Sequence, residues 1–282
     1  MPLAALGLVL ASALLHATWN AIVKAGDDRL VAAWATTAAG AVLGIILLAA
    51  GGLPSAASLA FVGASGVVHV AYIIALTRAY DDGDLSLVYP VARGIAPVVA
   101  TAGAMVAFGE NLPGPAYAGV GLIALGVLLL GALSRRVSAP TPARALAWSL
   151  ATALCTGVYT LIDRQGVRLT SPVSYISALF PIHASLFCVY VTWRRRALPW
   201  RLIARNRLGI LGMSGAFSLG AYLLVLSALA ISRVGYIAAL RETSVLIAAW
   251  VGWRHLGDLQ GPTRLASSGI VAAGLVLLVA AR

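Results

Sequence analysis

Apolar runs of about 20 residues recur along the chain, separated by short polar segments. A run of that length, wound as an α-helix, crosses a hydrocarbon core of about 30 Å. The 282 residues are 61% hydrophobic and only 10% charged, whereas soluble domains carry about 25% charged residues. The sequence therefore predicts an all-α polytopic membrane protein. Its ten predicted transmembrane helices cover residues 3–23, 30–50, 57–79, 87–108, 115–133, 145–163, 172–193, 208–230, 235–253 and 263–281.

The net charge of +11 does not indicate a nucleic-acid partner, because the basic residues stand at the ends of the apolar runs. With ten spans, fourteen of the 20 lysine and arginine residues fall in the loops after the odd-numbered spans. The positive-inside rule places those loops in the cytoplasm and both termini outside. Lys24 is the only lysine and is followed by Ala25, so the chain has no Walker-type nucleotide loop. We expect no nucleotide, metal or other cofactor, no catalytic residue, and a monomer surrounded by membrane lipids.

The two halves of the chain share short identical or similar segments at a near-constant offset. The pairs include Leu10–Leu14 with Leu150–Leu154, Arg93 with Arg241, Gly109-Glu110 with Gly257-Asp258, and Gly126 with Gly274. They predict two copies of a five-span unit, residues 1–133 and 145–282, with a linker over 134–144. Because five is odd, successive copies cross the membrane in opposite directions. Such inverted repeats are typical of secondary transporters, whose substrate sites lie where the repeats meet.

Ten spans in two halves, with a Gly-acid step before the last helix of each half, resemble the EamA type of the drug/metabolite transporter superfamily. The steps are Gly109-Glu110 and Gly257-Asp258, and the resemblance covers essentially the whole chain. Within that family, the aromatic-rich, arginine-containing spans look most like bacterial amino-acid exporters of the YddG kind. The resemblance implies a transporter or facilitator of the bacterial inner membrane that exports amino acids by alternating access, and no enzyme. Export of other metabolites or of drugs is the nearest alternative.

Two arginines lie well inside predicted spans, at equivalent positions of the two halves: Arg93 in span 4 and Arg241 in span 9. A charge at the bilayer centre costs about 3 kcal/mol or more, so ionisable residues there are functional candidates. A guanidinium binds a carboxylate through a planar fork of donors. We therefore expect one or both arginines to bind the carboxylate of a zwitterionic amino acid. A structural role is the alternative, with Arg241 paired to Glu242 or Arg93 bonded to carbonyls that Pro90 and Pro97 free.

Span 4 contains two prolines close to Arg93, within the segment that begins at Tyr89. Each proline removes a helix hydrogen bond, and freed backbone groups in a membrane must face protein or a water-filled cavity. The segment predicts a broken helix beside the arginine, as a substrate site would need. A kink that serves packing alone is the alternative.

Aromatic and polar side chains complete the predicted pocket. His16, Trp19 and Asn20 share one face of span 1 because they lie three and four residues apart, and His69 and Tyr72 do the same in span 3. Aromatic walls with a few polar tips are typical of small-molecule pockets, although core packing gives the same pattern. A histidine could also relay protons. The predicted substrate-binding residues are Arg93, Arg241, His16, Trp19, Asn20, His69, Tyr72, Tyr89, Tyr159, Tyr222 and Glu242.

Small residues are expected to serve packing. Gly121 and Gly126 in span 5, with Gly269 and Gly274 in span 10, are predicted to let neighbouring helices approach closely. Two further segments match the G-x-S-G element of rhomboid intramembrane proteases: Gly63–Gly66 and Gly212–Gly215. An active site needs one nucleophile and one base, so duplication at equivalent positions favours helix packing over a protease.

A non-transporting membrane scaffold is the remaining alternative. It would account for the hydrophobicity and the repeats, but it has no need of paired interior arginines. A water-filled cavity that reaches Arg93 or Arg241 would favour a transporter, and a solidly packed interior would favour the scaffold.

Overall fold

A computed structural model describes residues 1–24, 28–83, 85–133, 143–203, 207–244, 246–247 and 261–281. Within these ranges the regular structure is entirely helical. A 3₁₀ turn at Pro199–Leu202 follows α7. The helices are α1 (Leu3–Lys24), α2 (Arg29–Gly51), α3 (Ala56–Asp82), α4 (Leu85–Phe108), α5 (Gly114–Leu133), α6 (Ala143–Leu169), α7 (Pro172–Arg195), α8 (Leu208–Ile231), α9 (Val234–Leu240) and α10 (Gly261–Ala280).

Seven of the described helices are long and apolar enough to cross a membrane: α1, α2, α3, α4, α6, α7 and α8. Helices α5 and α10 contain shorter apolar stretches, Gly114–Leu129 and Ser267–Ala280. The prediction of an all-helical chain with several membrane-crossing helices is confirmed at this level. Much of the predicted ninth span, most of the 134–144 linker and the Gly257-Asp258 step lie outside the described residues.

Helix α4 is continuous from Leu85 to Phe108, so the prediction of a broken helix in span 4 is wrong. Pro90 and Pro97 both lie inside it. A proline already has a helix-compatible φ, and what it removes is one backbone hydrogen bond. The bond that Pro97 removes is the one to the Arg93 carbonyl, whereas the Thr101 hydroxyl donates to the Pro97 carbonyl itself at 2.7 Å.

The first of two compact units comprises Met1–Leu6, Ala71–Leu161 and Ser232–Arg282. Within it α5 packs against both α4 and α10, and α4 also packs against α9. A methyl group on Gly126 would lie 2.9 Å from the Val271 backbone nitrogen, and one on Gly274 would lie 2.8 Å from the Gly119 carbonyl. The predicted role of Gly126 and Gly274 in close helix packing is confirmed.

Two neighbouring glycines do not share that role. A methyl group on Gly121 or Gly269 would meet no described atom within 4 Å. The packing prediction is therefore wrong for these two positions, because the α5 and α10 surfaces in contact are the ones that carry Gly119, Gly126 and Gly274. Spacing along a helix does not by itself reveal which face meets the neighbour.

The second unit comprises Gly7–Val70 and Ile162–Ile231, and in it α2 packs against α7 and α8. The crossing of α2 and α8 is close: a methyl group on Gly215 would lie 2.7 Å from the Gly40 nitrogen. Beside it, the hydroxyls of Thr36 and Ser214 are 3.0 Å apart. Helix packing thus accounts for Ser214 and Gly215 of the second G-x-S-G segment, whereas a methyl group on Gly212 would meet no described atom within 4 Å.

The start of α2 is held by a cap and an ion pair. Asp28 is its N-cap, and its carboxylate accepts hydrogen bonds from the backbone nitrogens of Leu30 and Val31 at 3.0 and 3.2 Å. The same carboxylate lies 2.7 Å from Nε of Arg195, at the end of α7. Burial raises the pKa of Asp28, but the Arg195 hydrogen bond and charge and the two backbone donors outweigh burial and leave the pKa lowered.

Candidate functional site

Arg93 of α4 forms a buried ion pair with Glu242 in the first unit. Arg93 Nε donates to Glu242 Oε2 at 3.1 Å, and the two side chains are only 11% and 4% exposed. A second guanidinium nitrogen donates to the Ser244 hydroxyl at 3.2 Å. Burying two charges is costly unless they are paired and hydrogen-bonded, and here both conditions are met.

The backbone turn that follows α9 brings Glu242 to the arginine. The helix ends at Leu240, and the Glu242 nitrogen donates to the Ala239 carbonyl, three residues back, at 3.1 Å. Arg241 has φ −58° and ψ −24°, values typical of 3₁₀ geometry. The irregular backbone beside the paired charges therefore belongs to the predicted ninth span, and α4 remains regular.

Arg241 contacts the aromatic residues of the same unit. Its guanidinium donates to the Tyr159 hydroxyl at 3.4 Å and lies 6.0 Å from the centre of that ring, at the limit of a cation–π contact. Tyr159 in turn meets Tyr72 edge to face, with ring centres 6.0 Å apart. The first unit thus brings together five predicted site residues: Arg93, Arg241, Glu242, Tyr72 and Tyr159.

A small cavity lies against these charges. Its volume is about 10 Å³, and its polar lining comes from Arg93, Arg241, Glu242, Thr156 and Thr160. That space is close to the minimum that holds one water molecule. Pro97 and three alanines form the rest of the wall. The structure thus places a small cavity beside both predicted arginines, and it is too small for an amino acid.

A second group of polar residues is buried in the second unit, around Asp163 of α6. Asp163 is fully buried; its Oδ1 accepts from the Tyr175 hydroxyl at 2.7 Å, and its Oδ2 accepts from the Tyr222 hydroxyl. The His69 ring meets Tyr222 edge to face at 5.6 Å and lies 5.3 Å from the His183 ring. Among the predicted site residues, His69 and Tyr222 belong to this group.

The α1 residues of the predicted pocket interact with one another. The rings of His16 and Trp19 meet edge to face at 5.1 Å, and the Asn20 side chain donates to the His16 carbonyl at 2.8 Å. All three are partly buried. The side chain of Tyr89, also predicted to bind substrate, lies outside the described part of the chain.

The first G-x-S-G segment places Ser65 beside His69 on one helix, which invites comparison with a serine–histidine dyad. His69 Nδ1 lies 3.2 Å from the Ser65 hydroxyl but 2.9 Å from the Ser65 carbonyl oxygen. Ser65 is fully buried, and both contacts lie within one turn of α3.

Sequence reasoning did not select Asp163, Tyr175 or His183 as site residues. Asp163 falls at the last residue of predicted span 6 and is followed by Arg164, so the pair has the pattern of charges at a membrane boundary. Helix α6 instead continues to Leu169, which leaves Asp163 six residues inside its end. The sequence feature that could have revealed Asp163 is its position directly after the apolar residues of span 6, with no polar residue between them.

No protein-family model and no curated protein matches the chain. Among solved structures, 28 chains match. One of them, described only as the crystal structure of a protein, matches with a TM-score of 0.78 at 17% identity. The match covers 100% of this chain and 99% of that one. At this identity the likeness shows a shared fold and leaves the activity open.

Proposed function

We propose that the chain is a secondary transporter or facilitator of the EamA type, which exports small metabolites across the bacterial inner membrane by alternating access. Amino acids are the preferred substrates. The observation that carries the proposal is the buried Arg93–Glu242 pair, which lines a cavity with Arg241 in a chain whose long helices are apolar. Charges kept inside membrane helices are costly and mark substrate or ion pathways.

The chemistry of the cavity fits a zwitterionic substrate. Arg93 and Arg241 offer guanidinium donors to a carboxylate, and Arg241 also contacts the Tyr159 ring, which lies against Tyr72 beyond the cavity wall. Two threonine hydroxyls in the wall, of Thr156 and Thr160, add neutral polar groups. A few polar groups in fixed positions suit a family of substrates that share a carboxylate.

In the structure Glu242 accepts from Nε of Arg93, a donor that a substrate carboxylate would use. With about 10 Å³ of free space, the cavity has to open before an amino acid can enter. Transport therefore requires a conformation in which the ion pair separates and the cavity widens. The proposal also includes the inverted repeat, which provides two related halves for alternating access. It includes as well the position of both termini outside the cell.

The decisive experiment is uptake of a panel of labelled amino acids into proteoliposomes that contain the purified protein. We expect saturable uptake of several amino acids, lost in Arg93→Gln or Arg241→Gln. Arg168→Gln is the matched control, because Arg168 is an exposed arginine near the end of α6. The rate measured with empty liposomes sets the background.

Uptake at the rate of empty liposomes would contradict the amino-acid proposal, and the same assay with phosphorylated sugars and cationic drugs would then test the wider one. Failure with all three classes would favour a membrane scaffold. Saturable uptake that survives both arginine substitutions would remove Arg93 and Arg241 from the substrate site while leaving transport in place.

A further inference from the structure

The buried carboxylate of the second unit has an unusual set of partners. Asp163 is fully buried in α6, a helix apolar enough to cross a membrane, and its two oxygens accept from the hydroxyls of Tyr175 and Tyr222. Both donors are neutral. A carboxylate held this way is hydrogen-bonded in its charged form, yet two neutral donors offset only part of the cost of burying that charge.

Two histidines lie next to this carboxylate group. The His69 ring meets the Tyr222 ring edge to face, and its Nδ1 lies 2.9 Å from the Ser65 carbonyl oxygen and 3.2 Å from the Ser65 hydroxyl. His183 lies 5.3 Å from His69, ring centre to ring centre. In the described part of the chain, the buried Nε2 of His183 has no hydrogen-bond partner.

These groups are contributed by four helices and lie close to one another. The titratable and charged side chains around Asp163 are His69 from α3, Tyr175 and His183 from α7, Tyr222 from α8, and Arg164 on α6 itself, whose guanidinium donates to the Leu229 carbonyl. The position of Tyr175 depends on Gly166, because a methyl group there would overlap the tyrosine ring. The chain thus leaves space for a tyrosine to reach the carboxylate.

We propose that Asp163 is a proton-binding site that couples substrate export to proton entry. A hydronium ion gives up one proton, a bond forms between that proton and Asp163 Oδ2, and water is left. Tyr222 then turns from donor to acceptor, and release breaks the same O–H bond. The coupling rests on the proposed transport function, whereas proton binding itself does not.

Proton binding is tested first, by infrared spectroscopy of the purified protein in a detergent without ester groups. As the pH falls, the C=O stretch of a protonated carboxyl should appear in the wild type and be absent in Asp163→Asn. Asp82→Asn is the control for loss of a carboxylate outside this group. If Asp163→Asn does not fold, Tyr222→Phe keeps the carboxylate and should change the frequency of the band, because the protonated carboxyl loses one of its two hydrogen-bond partners.

Coupling is tested in proteoliposomes with an acidic interior, using a labelled amino acid that the wild type takes up. At one proton per substrate, a gradient of one pH unit supports about tenfold accumulation. Asp163→Asn should lose this accumulation and keep exchange of labelled for unlabelled substrate. A band that persists in Asp163→Asn, or an unchanged response to the gradient, would overturn the proposal. A titrating Asp163 band without any transport would instead contradict the transport function alone.

Discussion

The sharpest prediction concerns Glu242. If Glu242 occupies the place of the substrate carboxylate on Arg93, the two compete for the guanidinium. Glu242→Gln removes the negative charge and keeps the shape of the side chain. At the observed 3.1 Å separation, the Coulomb attraction of the pair is about 5 kcal/mol with an effective dielectric constant of 20. Desolvation offsets most of that, and a charge-assisted hydrogen bond contributes about 1.5–3 kcal/mol net.

That net value sets the expected effect on binding. A substrate carboxylate that no longer displaces Glu242 should bind about tenfold more tightly or better, because about 1.4 kcal/mol corresponds to a factor of ten. Arg93→Gln should have the opposite effect and lose binding. It should also destabilise the protein by about 3–5 kcal/mol, because it leaves Glu242 buried without its closest partner.

Equilibrium binding of a labelled amino acid to the purified variants measures the first quantity, and thermal unfolding in the same detergent measures the second. The double variant Arg93→Gln/Glu242→Gln is the matched control: it should recover much of the stability lost in Arg93→Gln without recovering binding. Weaker binding in Glu242→Gln, as severe as in Arg93→Gln, would refute the reasoning. Glu242 would then bind the ammonium group of the substrate and would not compete for the arginine.

Two further predictions concern the stability of the fold. Gly126→Ala should lower the unfolding temperature, because a methyl group there lies 2.9 Å from backbone and overpacking costs about 1–3 kcal/mol. Gly121→Ala on the same helix should lower the unfolding temperature little or not at all. Equal losses in the two variants would contradict the conclusion that only Gly126 lies at the helix contact. Because the pKa of Asp28 is lower in the folded protein than in the unfolded chain, its carboxylate stabilises the fold at a pH above the unfolded pKa of 3.8. That stabilisation is lost as the pH falls through the lower, folded-state pKa. Asp28→Asn, which still caps α2, should therefore unfold more readily than the wild type at neutral pH and approach it at acid pH, and a constant difference would contradict the Arg195 pairing.

The apolar runs predicted the course of most helices well, because the length of a membrane-crossing helix is set by the bilayer and is visible in composition. The partners of individual side chains were harder to predict from the sequence. That Glu242 pairs with Arg93, in a different helix, depends on how α4 and α9 pack, and nothing in the local sequence carries that information. The prolines of α4 misled for a related reason: they indicate lost hydrogen bonds, whereas the path of the helix depends on its whole length.

Positions near the ends of apolar runs were the hardest to interpret. Asp163 and Arg164 together have the pattern of a membrane boundary, yet the helix continues and the carboxylate is buried against two tyrosines. Likewise, the glycine pattern in α5 identified one position that meets a neighbouring helix, Gly126, and one that does not, Gly121. Rotation about the helix axis distinguishes such cases, and it is fixed only when the neighbouring helices are in place.

In the proposed transport cycle the carrier returns to the cytoplasmic side without cargo, and the buried Arg93–Glu242 pair bears on that return step. Without Glu242, an empty site would have to move the charges of Arg93 and Arg241 through the low-dielectric interior at every cycle. The carboxylate of Glu242 offsets one of these two charges whether or not an amino acid is bound. Removing that carboxylate should therefore slow net export, in which the empty carrier reorients, far more than it slows exchange, in which the carrier is always loaded.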